Sequence, residues 1–394
     1  MVEHIYMDYN STTPIAPVVI EKMADAMKKI YANPSGLHHL SRDAMDVVNS
    51  SREKIMNMLG AGEGRIVYTG SGTESDNLGI IGFARSNKNK GRHIITSSIE
   101  HPGVLNACKY LESTGFDVTY LPVNSNGEVE PEALENSIRK DTILVSVMYA
   151  NNETGVIQPI KELVEISHRK GIEFHTDAVQ AAGKLRIDVK NLGVDMLSIS
   201  AHKFYGPKGV GALYIRDGIN LDPIIYGGGH EFGLRSGTLN VPGIVGMETA
   251  LDYSMKNFDD GALRIRTYRD ELERHFLESI KGLTLNGGVK NRVFNTFNVT
   301  IPGVKGGEMV VMLELYNIFV SSGSACSSKK KKPSHVLISM GLTEKESNSS
   351  LRFSLGKFNT HDDVEKAKQL VPYVVERVRN THARDCNKVA KGGA

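Results

Sequence analysis

Short apolar runs alternate with longer amphipathic segments between about residues 49 and 225. The apolar runs lie at residues 65–68, 93–97, 142–148, 172–175 and 196–200. Between the third and fourth runs, Ile160, Leu163, Val164 and Ile166 recur at helical spacing behind Pro159. The alternation predicts an α/β protein in which parallel strands are joined by crossover helices.

The pattern changes near residue 259, which indicates a second domain. Asp259, Asp260 and Gly261 interrupt the alternation, and a strongly charged helix is predicted for residues 262–281. We therefore assign a large domain to residues 15–259 and a smaller α+β domain to residues 1–14 and 260–379. Residues 380–394 are polar and end in Lys-Gly-Gly-Ala, which predicts a disordered tail.

Composition narrows the range of partners. The 47 Lys and Arg residues nearly cancel the 45 Asp and Glu residues, so no overall field favours nucleic acid or a membrane surface as a direct partner. Three cysteines cannot form a disulfide framework and suit a reducing compartment. We expect a cytoplasmic protein that acts on a small molecule.

A glycine-rich turn follows the first apolar run. Residues 69–77 read TGSGTESDN and precede an apolar segment in which we predict a helix from about Leu78. Backbone N–H groups and the helix dipole can make such a turn a phosphate site, although many turns of this composition only cap a helix.

Polar residues follow the later apolar runs, at the strand ends where open parallel sheets bind their ligands. They are His101, Asn151, Asn152, Asp177, Gln180, Ser200, His202 and Lys203. Taken singly, each is as well explained by a turn, a helix cap or solvation. Lys203, however, lies in a polar loop between two apolar runs, SAHKFYGPKG, where desolvation and neighbouring cations favour Schiff-base chemistry. The aldehyde this implies is pyridoxal phosphate, with Asp177 pairing the pyridine nitrogen and His101 beside the ring.

Cys326 lies in a loop of small residues, SSGSACSS at residues 321–328. Its Ser, Gly and Ala neighbours predict an accessible thiol, and Lys329–Lys332 favour the thiolate. Cys108 and Cys386 lack such surroundings. Composition alone leaves the reactive and the structural interpretation of Cys326 both open.

Together these motifs resemble the aminotransferase class V family, and within it the cysteine desulfurases of iron-sulfur cluster assembly. Further matching motifs, in chain order, are YMDYNSTT (6–13), NPS (33–35), SIEH (98–101), NNETG (151–155), HTDAVQ (175–180), RSGT (235–238) and LRFSLG (351–356). The resemblance spans nearly the whole chain. It implies pyridoxal-phosphate fold type I, similar to aspartate aminotransferase, with a mostly parallel seven-stranded sheet in the large domain.

The resemblance also implies roles for residues. The phosphate would be held by Gly72, Thr73, Ser200 and His202, together with Thr238 of a partner subunit in a homodimer. The ring would be held by His101, Asn152, Asp177 and Gln180. Arg352, helped by Asn33 and Asn152, would bind the carboxylate of L-cysteine. Lys203, His101 and Cys326 would be catalytic.

The same resemblance implies that sulfur leaves as a persulfide on Cys326. Its acceptors would be an iron-sulfur scaffold protein or a tRNA-thiolating enzyme. No resident metal is expected, although Cys326 is a candidate for a transient iron-sulfur cluster ligand.

Three features depart from the family pattern. Phe232 replaces a usual arginine, the glycine turn has an altered order at Gly70-Ser71-Gly72, and the run Lys329–Lys332 is unusual. The change at Phe232 affects subunit or entrance contacts. The lysine run affects the choice of acceptor, or it is a solvated loop without a specific role. The alternative functions are a selenocysteine lyase, a class V aminotransferase, or a non-catalytic sulfur-assembly partner.

Overall fold

The structure, a computed structural model, describes residues 4–323 and 333–391, with side chains up to His382. Cys326 and Lys329–Lys332 lie outside the described residues. In the described part of the chain, no helix is long and apolar enough to cross a membrane.

The strands are short, and most have buried residues on both faces. They are β1 (Ile5–Tyr6), β2 (Arg65–Thr69), β3 (His93–Ser97), β4 (Asp117–Leu121), β5 (Thr142–Ser146), β6 (Glu173–Asp177), β7 (Met196–Ser200), β8 (Gly211–Ile215), β9 (Thr284–Asn286), β10 (Thr296–Thr300), β11 (Ile318–Phe319) and β12 (Ser350–Ser354).

The helices vary from one turn to eight. They are α1 (Pro17–Lys29), α2 (His39–Met58), α3 (Gly72–Asn77), α4 (Phe83–Asn87), α5 (Pro102–Ser113), α6 (Pro131–Ser137), α7 (Ile160–Arg169), α8 (Val189–Leu192), α9 (Val241–Met255), α10 (Phe258–Ser279), α11 (Gly306–Glu314), α12 (His335–Ser339), α13 (Glu344–Asn348) and α14 (His361–Lys391). A π turn, Leu78–Gly82, joins α3 to α4, and 3₁₀ turns form at Ala201–Lys203 and Glu231–Gly233.

The large sheet has seven strands in the order β2-β8-β7-β6-β5-β3-β4, and β8 runs antiparallel to both neighbours. The predicted mostly parallel α/β sheet is therefore confirmed. β4 and β8 were not predicted. Apolar clusters cover both faces of the sheet, as expected for strands buried on both sides.

A second core lies in the C-terminal part of the chain. Strands β12-β10-β9 form an antiparallel sheet covered by α10 and α14. The rings of Phe297 and Phe353 stack at 5.0 Å between centroids, and Ile5 and Met7 of the N-terminal segment join this cluster. The N-terminal segment around Ile5 and Met7 thus packs in the C-terminal core.

Two helix boundaries of the structure differ from the predicted pattern. Asp259, Asp260 and Gly261 lie in the first turn of α10, and the break falls at Asn257, whose φ is 51°. Acidic residues favour the first turn of a helix through its dipole, which explains why they do not interrupt it. The backbone of α14 is helical to Lys391, into the segment predicted to be disordered, and glycine is absent from this stretch until Gly392.

Candidate active site

A cavity of about 230 Å³ opens at the carboxyl ends of the parallel strands. It brings together many of the residues predicted to hold a cofactor or a substrate. They are Gly72, Thr73, His101, Asn152, Asp177, Gln180, Ser200, His202, Lys203 and Arg352. The rest of the wall comes from Asn10, Ser11, Ser71, Met148, Ala150 and Val179.

The glycine turn forms one wall of this cavity. Helix α3 begins at Gly72, earlier than the predicted start near Leu78, because Ser71 acts as its N-cap and accepts a hydrogen bond from the Glu74 amide at 3.1 Å. The helix continues through the π turn into α4. Its first turn presents N–H groups without intrahelical partners at the positive end of the dipole.

Gly72 is required where the chain turns into α3. A Cβ atom at this position would lie 2.7 Å from Val179 Cγ2 and 3.3 Å from Ser200 Cβ. Such distances leave no room for a side chain. The backbone of the turn can therefore approach an anion closely, as a phosphate cradle requires.

Asp177 ends β6 and also lines the cavity. Its Oδ1 accepts a hydrogen bond from the Val179 amide at 2.9 Å. Burial raises the pKa of Asp177 to about 6, against the lowering effects of that hydrogen bond and of Lys203. A protonated pyridine nitrogen in the cavity would supply the positive partner that a buried carboxylate needs.

Lys203 lies at the end of the 3₁₀ turn that follows β7. Its Nζ donates hydrogen bonds to the carbonyl oxygens of Asn10 and Ser11, each at 2.7 Å. The N-terminal segment therefore holds this amine at the cavity. Asn10 and Ser11 belong to the YMDYNSTT motif, but no local feature of the sequence indicates this contact.

Two histidines of the cavity are neutral. Burial lowers the pKa of His101 to about 4, with contributions from the charges of Lys203 and His335. Burial and then Lys203 lower the pKa of His202 to about 4. His101 Nδ1 accepts a hydrogen bond from the Gly103 amide at 3.0 Å, which places the proton of the neutral ring on Nε2.

Arg352, in the middle of β12, brings the second core to the cavity. Its guanidinium is 1% exposed and donates to Asp8 Oδ1 at 2.6 Å and to Ser11 Oγ at 2.8 Å. A further bond of 2.9 Å reaches the Asn152 carbonyl, while Nε has no hydrogen-bond partner. The group can present a planar pair of donors to a carboxylate.

The described residues on either side of the Cys326 segment attach beside this arginine. The backbones of Ser321 and Arg352 exchange two hydrogen bonds, of 3.2 and 2.7 Å. On the other side, Ser334 Oγ donates to Glu153 Oε2 at 2.6 Å. Both flanks are thus joined to elements that line or adjoin the cavity.

Two residues predicted at the site lie elsewhere in this chain. Thr238 and Asn33 line a surface groove together with Tyr31 and Pro34, and both are exposed. Neither residue lines the cavity that holds Lys203. This position is compatible with the expectation that Thr238 serves a partner subunit.

Phe232 departs from the family pattern at a left-handed turn. It has a φ of 60° and a half-exposed ring that faces the guanidinium groups of Arg52 and Arg65 at 5.0 and 5.8 Å. Arg52 also forms a bidentate pair with Glu231 at 2.8 and 2.9 Å. The phenyl ring therefore covers a buried ion pair.

One surface group of the described residues has ligand types that a metal could use. It consists of Glu271, His361 and Glu365. The Lys368 ammonium, however, lies 2.7 Å from a carboxylate oxygen of each glutamate. The group is satisfied as an ion-pair network, and we assign no metal to it.

The chain matches the family model described as "Aminotransferase class-V" over residues 5–367, and it belongs to this family. The family depends on pyridoxal 5′-phosphate, and the residues of the cavity fit that cofactor: a phosphate cradle, a buried carboxylate and a lysine amine.

Relatives within the family carry a more specific name. The chain is 46% identical to the cysteine desulfurase IscS of Methanosarcina thermophila, covering 95% of this chain and 93% of the relative. It is 44% identical to the cysteine desulfurase IscS of Dictyoglomus turgidum, covering 96% of each.

Solved structures agree with this assignment. A NifS-like protein superposes with a TM-score of 0.87 at 36% identity, covering 97% of this chain and 100% of that one. A structure described as SspA in complex with cysteine gives a TM-score of 0.79 at 39% identity, covering 90% of this chain and 99% of that one.

Proposed function

We propose that this protein is a pyridoxal-phosphate-dependent cysteine desulfurase. It converts L-cysteine to L-alanine and transfers the sulfur atom to Cys326 as a persulfide. The observation that carries this proposal is the meeting of Lys203, Asp177 and Arg352 in one cavity, with both flanks of the Cys326 segment attached beside it.

The cofactor supplies one kind of chemistry: when bound, it withdraws electrons from the α-carbon of the substrate, so that the bond between the β-carbon and sulfur can break. Gly72 and Thr73, at the start of α3, would hold its phosphate with Ser200 and His202. Asp177 would pair with its ring nitrogen, and Asn152 and Gln180 would orient the ring. The presence of all these residues in the lining of one cavity supports these roles.

Arg352 binds the substrate carboxylate. Its Nη2 donates to Asp8 and Ser11, so one of these hydrogen bonds must be replaced by a bond to the substrate carboxylate. Its free Nε supplies one donor for this exchange. Asn33, which lies outside the cavity in this chain, is proposed to assist only in the complete assembly.

Proton transfers are assigned to two residues. Lys203 takes the α-proton of the substrate, since its amine lies in the cavity at the end of β7. His101 is neutral with its proton on Nε2, so it enters the reaction as a hydrogen-bond donor. We propose that it is the acid-base residue of the thiol and ring steps.

The sulfur step balances without an external oxidant or reductant. The Cys326 thiolate attacks the sulfur of the substrate, the carbon–sulfur bond breaks, and its electron pair stays with the β-carbon, which takes up a proton delivered by Lys203 or His101. The products are alanine and the Cys326 persulfide. We propose that the persulfide is passed to an iron-sulfur scaffold protein or to a tRNA-thiolating enzyme, in the cytoplasm.

We also propose that the protein acts as a homodimer. Thr238 lies in the groove with Asn33, away from the cavity of its own chain. A second copy that covers this groove would bring the Thr238 hydroxyl to the phosphate held by the neighbouring chain.

Incubation of the holoenzyme with L-cysteine tests the activity. Alanine and sulfide should form in equal amounts under reducing conditions, and mass spectrometry without reductant should find an added sulfur on Cys326. Cys326→Ser should retain the cofactor and lose desulfurase activity, whereas Cys386→Ser should leave it unchanged. Full turnover by Cys326→Ser would overturn the assigned role.

Lys203→Ala tests the cofactor attachment. We expect at least a 10³-fold loss of turnover, of the order seen when an acid-base residue is removed. Lys208→Ala, an exposed lysine of the same loop, is the matched control. Borohydride reduction should fix the cofactor to the control protein but not to Lys203→Ala. Parallel assays with selenocysteine separate the desulfurase from a selenocysteine lyase.

A further inference from the structure

A second lysine, which is buried, lies behind the cavity. Lys184 is 6% exposed, and its Nζ donates a hydrogen bond to Gln180 Oε1 at 2.5 Å. The partner is a neutral amide and not a carboxylate. Burial of a lysine beside a neutral amide costs free energy of folding. Lys184 therefore needs a reason other than stabilisation of the fold.

The hydrogen bonds of Lys184 continue to Lys203. Gln180 Nε2 donates to the Asn10 carbonyl at 2.8 Å, and Lys203 Nζ donates to the same carbonyl at 2.7 Å. The Asn10 carbonyl can only accept, so the nitrogen of the Gln180 amide must face it. The amide oxygen then faces Lys184, and the amide cannot rotate by 180° without losing both bonds.

The two lysines also share an internal space. A cavity of about 20 Å³ is lined by Lys184 and Lys203, with Tyr9, Thr13 and Asn295 among its polar neighbours. Its volume suffices for about one water molecule. In this enclosed space the two amines interact with little solvent screening.

The charges around the pair are predominantly positive. The titratable and charged groups that face the two lysines are Tyr9, His101, Asp177, His202, Tyr205, Arg352 and Lys357. Arg352 is paired with Asp8. Burial lowers the pKa of Lys184 well below its usual value, and the charges of Lys203 and Arg352 act in the same direction.

We propose that Lys184 is a positioning residue for the cofactor site. By donating to Gln180 Oε1 it holds the Gln180 nitrogen as a donor at the cavity, and the positive charge of its ammonium disfavours an added proton on the nitrogen of Lys203. This inference rests on the proposed attachment of pyridoxal phosphate to Lys203. In this proposal, Lys184 controls the proton affinity of the Lys203 nitrogen.

A pH titration of the visible absorbance of the holoenzyme tests the inference. In Lys184→Met the donor and the neighbouring amine are lost, so the Lys203 nitrogen should keep its proton to higher pH. We expect the spectral midpoint to rise by about one pH unit. Lys184→Arg keeps a donor and a charge, and its midpoint should remain close to that of the wild type.

The controls separate this effect from damage to the fold. Lys190→Met changes an exposed lysine nearby and should leave the midpoint unchanged. Thermal melting of the cofactor-free proteins reports any loss of stability separately. If Lys184→Met does not fold, Lys184→Gln, which also removes the amine, is expected to shift the midpoint in the same direction.

The outcomes distinguish this inference from the proposed function. A Lys184→Met midpoint equal to that of the wild type would overturn the role of Lys184 while leaving the desulfurase intact. A downward shift would overturn it as well. Absence of a visible band in the wild-type protein supplied with cofactor would instead contradict attachment at Lys203, and both proposals would fall.

Discussion

At the scale of single residues, burial sets the protonation state of the groups near the cavity. His101 and His202 are neutral because burial lowers their pKa values to about 4, whereas burial raises the pKa of Asp177 to about 6. Burial also raises the pKa of Glu100 to about 8. An enzyme that transfers protons to and from a bound amino acid needs acid and base groups whose pKa values differ from their ordinary values.

His175, in the middle of β6, gives a prediction for the dependence of stability on pH. Its ring bonds Ser146 Oγ at 2.9 Å and Ser198 Oγ at 3.0 Å, and burial lowers its pKa to about 3. The unfolded chain therefore binds a proton between pH 6.5 and 3 that the folded protein does not. His175 thus favours unfolding as the pH falls through this window.

We expect His175→Asn to lose this acid sensitivity. The difference in free energy of unfolding between the wild type and the variant should change by up to about 1.4 kcal/mol per pH unit below pH 6.5, in favour of the variant at low pH. Urea unfolding of the cofactor-free proteins from pH 7 to 4 measures this difference. Parallel curves would show that His175 is protonated in the folded protein.

At the scale of elements, the start of α3 depends on the close approach between strands and helix at Gly72. We expect Gly72→Ala to displace the turn from Ser200 and Val179 and to weaken cofactor binding at least tenfold. The physical reason is that 2.7 Å to Val179 Cγ2 is too short for a methyl group. Equilibrium dialysis with pyridoxal phosphate gives the affinity.

Gly62→Ala is the matched control for this prediction. A Cβ atom there has no heavy atom within 4 Å. The control should bind the cofactor as the wild type does. Equal affinities for all three proteins would contradict a phosphate site at the start of α3.

The turn at Glu231–Gly233 is held to α2 by a buried ion pair and to β2 by a hydrogen bond. Glu231 bonds Arg52 and accepts from the Tyr68 amide at 2.7 Å, and its side chain is 2% exposed. Removal of one partner leaves a buried charge, so we expect Glu231→Ala to lower the free energy of unfolding by about 3 kcal/mol.

The exposed pair of Lys29 and Asp25 is the comparison for this prediction. Its distance of 2.7 Å is similar, but both side chains are more than half exposed. Asp25→Ala should cost far less than Glu231→Ala, because solvent screens the exposed pair. Chemical denaturation of the cofactor-free proteins measures both changes, and similar losses would show that the Glu231 pair is not desolvated in solution.

At the scale of the whole molecule, the proposed homodimer predicts complementation between defective chains. Thr238→Glu places a carboxylate where a phosphate is expected, and Lys203→Ala removes the cofactor amine. Each protein alone should be strongly impaired. In a mixed dimer, one of the two sites keeps Lys203 from one chain and Thr238 from the other.

Coexpression of the two variants in equal amounts should therefore restore about one quarter of wild-type activity, because half of the dimers are mixed and each mixed dimer has one intact site. Differently tagged chains allow the mixed dimer to be purified and assayed. If Thr238 served the cavity of its own chain, neither site of the mixed dimer would be intact and activity would not return.

The sequence by itself determined the α/β class and the strand-end groups Asp177, Ser200 and Lys203. These follow from local patterns, since alternating apolar runs predict strands and the carboxyl ends of parallel strands meet at one edge of a sheet. The antiparallel β8 was missed because a short buried run carries no sign of its direction. The start of α3 was missed because its first turn has the composition of a loop.

Only the tertiary structure decided how distant segments meet. The carbonyls of Asn10 and Ser11 bind the amine of Lys203 across more than 190 residues of chain. Lys184 is linked to the Asn10 carbonyl through the side-chain amide of Gln180. Arg352 meets Asp8 across 344 residues. Such contacts, and the burial that shifts pKa values, depend on packing in three dimensions, and no local pattern in the sequence encodes them.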